Sequence, residues 1–162
     1  MSLVTTAVHA PPLASCAPAL CPLERAVARI CREAGGRVHT NIPLNQMNLP
    51  HPPQDSRAIE VLVNGLPLWH GAQVAVDATL VSPVGRDGLP RRRADTHPGA
   101  TVQEAARRKR TQTYPDFYNS PRCRFAVFGL EIGGRWSTEA VTLIRQLALA
   151  KARTTPDRKS VV

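Results

Sequence analysis

At 162 residues, with 43% hydrophobic and 20% charged side chains, the chain can bury one globular core, and its composition is neither that of a fibrous nor of a wholly disordered protein. Aromatics supply only 4%, so the core must rest on Val, Leu, Ile and Ala, and no apolar run is long enough to span a membrane. The formal charge of +9 is carried almost wholly by arginine, lysine occurring only at positions 109, 151 and 159. That suits a polyanionic partner, although an arginine-rich coding bias would give the same composition.

Residues 1–21 are Ala/Pro/Ser/Thr-rich and expected to be disordered. They have no basic leading region and prolines interrupt their apolar run, so neither a signal nor a transit peptide is read there; a nuclear or cytoplasmic address is expected. Cys16, Cys21, Cys31 and Cys123 lack C-x-x-C spacing and a disulfide framework. Free thiols are expected rather than a zinc set completed by His39.

The first helix is expected from Pro22 in PLERAVARICREAGG, with Leu23, Ala26, Val27, Ile30 and Cys31 inward and Gly35-Gly36 ending it. A short strand, RVHTNIPL, and a proline-rich loop containing His51 follow. The loop delivers the chain to RAIEVLVNGLPLWHGAQVAVDATLVS, two apolar strands around Gly/Pro turn chemistry. Each strand carries one acid in its middle, Glu60 and Asp77, and an unpaired buried charge costs several kcal/mol. Antiparallel pairing puts Glu60 within reach of Asp77, with Thr79 on the same side as Asp77. Two such acids suggest a divalent-metal site, the alternative being ion pairs to Arg57 or to an arginine of the next helix.

SPVGRDGLPRRRADTHPGA is a basic loop rich in helix breakers, and ATVQEAARRKRTQTY reads as a helix. Its inner face is thin (Val102, Ala105, Ala106, Tyr114), its outer face is cationic, and Pro115 ends it. Between Val84 and Arg110 eight bases stand against three acids, so more than half of the net charge lies in one window. Arg91, Arg92, Arg93, Arg107, Arg108 and Arg110 are expected to contact a phosphate backbone without reading bases. RCRFAVFGLEIGG is a further strand with Glu131 near its end, and WSTEAVTLIRQLALAKART a last helix capped by Ser137 or Thr138. Residues 155–162 are expected to fray.

The expected order is α-β-β-β-α-β-α, an α/β domain over 22–154 with a small mixed sheet flanked by helices. This order, with an acid on the second and the third strand, resembles the restriction-endonuclease-like fold of the PD-(D/E)XK nuclease superfamily. A closer likeness spans about residues 29–153. CREAGGRV, the strand pair, RKRTQTYPDF and RCRFAVFGLEIGGRWSTEA resemble the C-terminal endonuclease-like region of non-LTR retrotransposon reverse transcriptase polyproteins. That family carries a D-V-T-V strand, a helix with Lys a few residues before Tyr, and a strand ending E-x-x-G. The corresponding features here are Val76–Thr79, Lys109 with Tyr114, and Leu130–Gly134.

The resemblance implies a hydrolase that nicks DNA, or RNA as the alternative, with Mg²⁺ or Mn²⁺ held by Glu60, Asp77 and the Ala78 carbonyl. Thr79 stands where the fold usually keeps a lysine, so Lys109 would supply that amine and orient the water or steady the phosphoryl charge. Tyr114, Thr79 and Glu131 would lend support or touch phosphate. Other readings stay open: a solvated Lys109, a strand-end salt bridge or cap for Glu131, core plugs for Trp69 and Trp136, and a nucleic-acid-binding relic without catalysis.

Overall fold

The computed structural model describes residues 21–47, 49, 55–117 and 120–154. The ends expected to be disordered, save Cys21, lie outside the described residues, as do Cys16 and His51. Helix α1, Pro22–Glu33, starts on a proline whose missing N–H costs nothing in a first turn. The Glu24 carboxylate accepts the Cys21 N–H at 3.1 Å, and the chain leaves the helix through Gly35 at φ 91°, where a Cβ would be strained. Val27, Ala28 and Cys31 face inward. Ala26, expected inside, is exposed, because that buried row turns its position outward by roughly 100°.

Strands β1 (Arg37–Pro43), β2 (Ala58–Asn64) and β3 (Gln73–Val81) form an antiparallel meander. β4 (Cys123–Glu131) pairs parallel with β3, giving the order β1-β2-β3-β4. A parallel neighbour can be reached only by a crossover, which here contains helix α2, Ala100–Arg108. Helix α3, Thr138–Thr154, closes the chain. Of its two expected caps, Ser137 acts: its Oγ accepts the Ala140 N–H at 3.1 Å and the Gly129 N–H at 3.3 Å.

The protein is thus a mixed α/β fold, a four-stranded mixed sheet flanked by helices. On one face α1 and α3 bury Val61, Val63, Val74, Val76, Ala126 and Phe128. On the other, Leu44, Ile59, Leu62 and Ala75 pack with Tyr114 and Phe117. Helix α2 lies so close to β4 that a Cβ on Gly129 would stand 2.5 Å from Val102 Cγ2.

The helix expected to run to Tyr114 keeps α geometry only to Arg108. Lys109–Thr113 forms a π turn, closed by the Tyr114 N–H on the Lys109 carbonyl at 2.8 Å. The physical reason lies at its far end. The Arg57 guanidinium takes the Thr113 carbonyl, and the Tyr114 ring is drawn among Phe117 and Phe125, so the last turn widens to meet both.

Candidate active site

The register Val61↔Val76 sets Glu60 across from Asp77, one step beyond the last paired residues of β2 and β3. At Glu60 the alternation of β2 changes side: Val61 packs beneath α1 and α3, Ile59 in the opposite cluster. Asn41, at φ 54°, falls between the pairs Thr40↔Val61 and Ile42↔Ile59 and so stands opposite Glu60 on β1. The Glu60 carboxylate turns toward β3 and accepts the Ala78 N–H. N–H and C=O of one strand residue point to the same edge, so the Ala78 carbonyl faces this gap as well.

Asp77 is completely buried. One of its oxygens takes the Lys109 ammonium at 2.8 Å and the other the Thr79 hydroxyl at 2.6 Å. Lys109 also lies 5.7 Å from the Tyr114 ring centroid. Five residues apart in an α-helix, the two would diverge by roughly 140°. The π turn makes them neighbours. The Tyr114 hydroxyl donates to the Ala58 carbonyl at 2.8 Å, tying the turn to the start of β2.

Arg57 fixes the same junction from below. It pairs with Asp55 at 2.6 Å and Asp116 at 2.7 Å, and so is committed to them rather than to Glu60 or Asp77. Of this positioning role the sequence shows only the Asp55-x-Arg57 spacing, because Asp116 and Thr113 arrive from across the fold.

Burial, and then the charge of Asp77, push the Glu60 carboxyl up to about 7 against the pull of the Ala78 N–H. Burial and the same two carboxylates hold the Tyr114 phenol above its ordinary range. Two repelling carboxylates and a carbonyl are hard oxygen donors, the set that Mg²⁺ or Mn²⁺ accepts with few protein ligands. Among the described residues no group of three or more His, Cys, Asp or Glu side chains gathers into a richer site. The donor set therefore fits such an ion.

The basic residues assemble beyond the C-terminal end of β3. Residues 82–99 form an internally bonded loop: the Arg91 N–H meets the Pro83 carbonyl and the Gly85 N–H the Leu89 carbonyl, both at 2.8 Å. Arg91, Arg92 and Arg108 line a cleft of about 470 Å³ with Ser82 and Thr101. Arg92, Arg93 and Arg107 line a second, of about 590 Å³. The two share Arg92 and Glu104 and so adjoin. Arg107 pairs with Glu104 at 2.7 Å.

Three expected contacts lie elsewhere. Arg110 pairs with Glu139 of α3, and Tyr114 is buried with its hydroxyl occupied. Glu131 is buried at the end of β4, where it accepts the Val102 N–H at 3.4 Å and lies 3.5 Å from Arg135. It caps α2 from below rather than facing Glu60. Trp69 packs partly buried against the core, and Trp136 stands edge-on to Phe128 at 5.3 Å. Cys31 and Cys123 are free and buried, with thiols pushed up to about 11 by that burial.

No protein-family model matches the chain, and no curated protein sequence matches it. No helix of the described residues is long and apolar enough to cross a membrane.

Proposed function

We propose that the chain is a metal-dependent endonuclease domain of retrotransposon origin, restriction-endonuclease-like in topology, which nicks DNA by phosphodiester hydrolysis. The observation that carries this reading is the meeting of Glu60, Asp77 and Lys109, from β2, β3 and the π turn, with Arg108, next to Lys109 in the chain, lining the arginine cleft. The order α-β-β-β-α-β-α supports the topology. The likeness of Val76–Thr79, of Lys109 with Tyr114, and of Leu130–Gly134 to the retrotransposon pattern supports the origin.

Glu60, Asp77 and the Ala78 carbonyl would hold Mg²⁺ or Mn²⁺, which supplies an activated water and neutralises charge on the phosphoryl oxygens. The rest is the work of the chain itself. The Lys109 ammonium, held by the π turn, steadies the developing phosphoryl charge or orients the water. The Thr79 hydroxyl fixes one oxygen of Asp77 so that the other faces Lys109. Arg91, Arg92 and Arg108 grip neighbouring phosphates without reading bases. A DNA substrate suits a nuclear or cytoplasmic site of action.

The test is nicking of supercoiled DNA in Mg²⁺ by the parent and by Glu60→Gln and Asp77→Asn, each shown to be folded by circular dichroism. Activity is expected to vanish in both; a folded double variant that nicks as fast as the parent would overturn the assignment. One observation favours a second reading: both oxygens of Asp77 already have partners, as a purely structural carboxylate would. Salt-dependent binding of DNA or RNA, with no cleavage in Mg²⁺ or Mn²⁺, would identify a non-catalytic relic.

A further inference from the structure

A third basic cleft, of about 480 Å³, takes no part in the site described above. It wraps the free edge of β4, the outermost strand of the sheet. Phe125 enters it from the face covered by α2, while Arg124 points to the other face. Arg110, Trp69, Gln146 and the Glu139 carboxylate, which pairs with Arg110, also line it. An adjoining hollow of about 190 Å³ shares Arg110, Arg124 and Phe125 and is floored by Phe117 and Tyr114.

Three features of this cleft point to a ligand. Phe125 is stacked on Phe117 at 5.1 Å and 21°, which builds a flat aromatic wall beside two guanidinium groups. Trp69 and His70 sit at successive positive φ, 46° and 58°, a strained arrangement for residues with a Cβ and one that concentrates at ligand sites. The Oε1 of Gln146 is buried without a hydrogen-bond partner among the described residues. Arg124, moreover, is exposed and makes no ion pair among the described residues, whereas Arg110 shares Glu139.

We propose that this cleft binds an unpaired nucleotide, its base against Trp69 and Phe125, its N–H edge at Gln146 and its phosphate on Arg124 and Arg110. Aromatic faces accept bases that have left the duplex stack, and arginines beside them hold the backbone. The inference rests on the nucleic-acid reading above and deepens it: the substrate is a duplex carrying a single-stranded stretch. Val127 registers with Asp77, and Phe125 lies two residues along the same strand, roughly 7 Å away. The break therefore falls beside the junction of paired and unpaired strands.

Fluorescence anisotropy of the full chain in EDTA tests this apart from cleavage, with a blunt duplex and the same duplex bearing a short single-stranded extension as probes. The extension is expected to tighten binding by about tenfold. Arg124→Ala and Gln146→Leu should each lose that gain while keeping the affinity for the blunt duplex. In a Trp136→Phe protein, a single-stranded oligonucleotide should quench the remaining emission of Trp69. Equal affinity for both probes overturns the proposal, as do equal losses for both in the variants, an unquenched Trp69, or a β4 edge that binds a peptide strand or a second copy instead. Loss of Mg²⁺-dependent nicking with the preference intact would instead refute only the catalytic reading.

Discussion

Replacing Lys109 with alanine removes the one cation among the described residues that pairs with Asp77, a carboxylate with no exposure of its own. Breaking a buried ion pair by removing one partner destabilises by roughly 3–5 kcal/mol. Lys109 keeps 30% exposure, so water already screens its side of the pair, and the Thr79 hydroxyl stays on Asp77. Together these lower the expected loss to roughly 2–3 kcal/mol. For a chain of this size that is a fall in Tm of roughly 4–12 °C. The assay is thermal unfolding followed by circular dichroism in EDTA, repeated in Mg²⁺. Asp77→Asn in the Lys109→Ala background removes the stranded charge and should restore most of the loss. In Mg²⁺ the Lys109→Ala protein should regain more stability than the parent does, because no ammonium competes for Asp77. A variant that melts with the parent, or one that Asp77→Asn fails to rescue, would refute the reasoning.

Glu60 gives a pH signature. The native carboxyl keeps its proton to about pH 7 and the unfolded one only to its ordinary 4.5, so the native state binds more protons between those values and stability falls as pH rises through them. Glu60→Gln, which retains an acceptor for the Ala78 N–H, should flatten that slope and exceed the parent in urea resistance at pH 8; parallel pH profiles would exclude the burial argument. Arg57→Ala releases Thr113, Asp55 and Asp116 together, so a loss of roughly 2 kcal/mol in urea unfolding is expected. Nicking should fall with it, because Lys109 loses its anchor. Gly129→Ala forces Val102 and the Ser137 side chain to move, at a cost of roughly 1–3 kcal/mol measured by the same unfolding, and α2 should be displaced with it.

Much of the architecture was legible because period-2 apolar runs and turn chemistry mark β2 and β3 without outside help. Their antiparallel register, once assumed, sets Glu60 beside Asp77 by counting alone. Lys109 was accessible only through a resemblance, since three arginines surround it and periodicity does not single it out. The π turn was not legible, because its cause is tertiary: Arg57 acts on Thr113 from 56 positions away, and Phe125 reaches Tyr114 from the next strand. Tyr114 is a buried strut for the same reason rather than a surface contact. Glu131 has the sequence context of a strand-end acid, and only the packing of α2 over Gly129 brings the Val102 N–H to it.

A π turn is an α-helix holding one residue more than its winding needs. Lys109 and Tyr114 are neighbours at a separation of five for the reason that residues four apart are neighbours in an unbroken helix. Removal of the exposed Gln112 would leave the closing bond spanning the ordinary α count, with the lysine still over the ring. The number of residues between them is therefore free to drift by one, and only the bond that closes the turn is constrained. Chains built on this site can differ in length here and still superpose, while a comparison made column by column would set their lysines against the wrong partners.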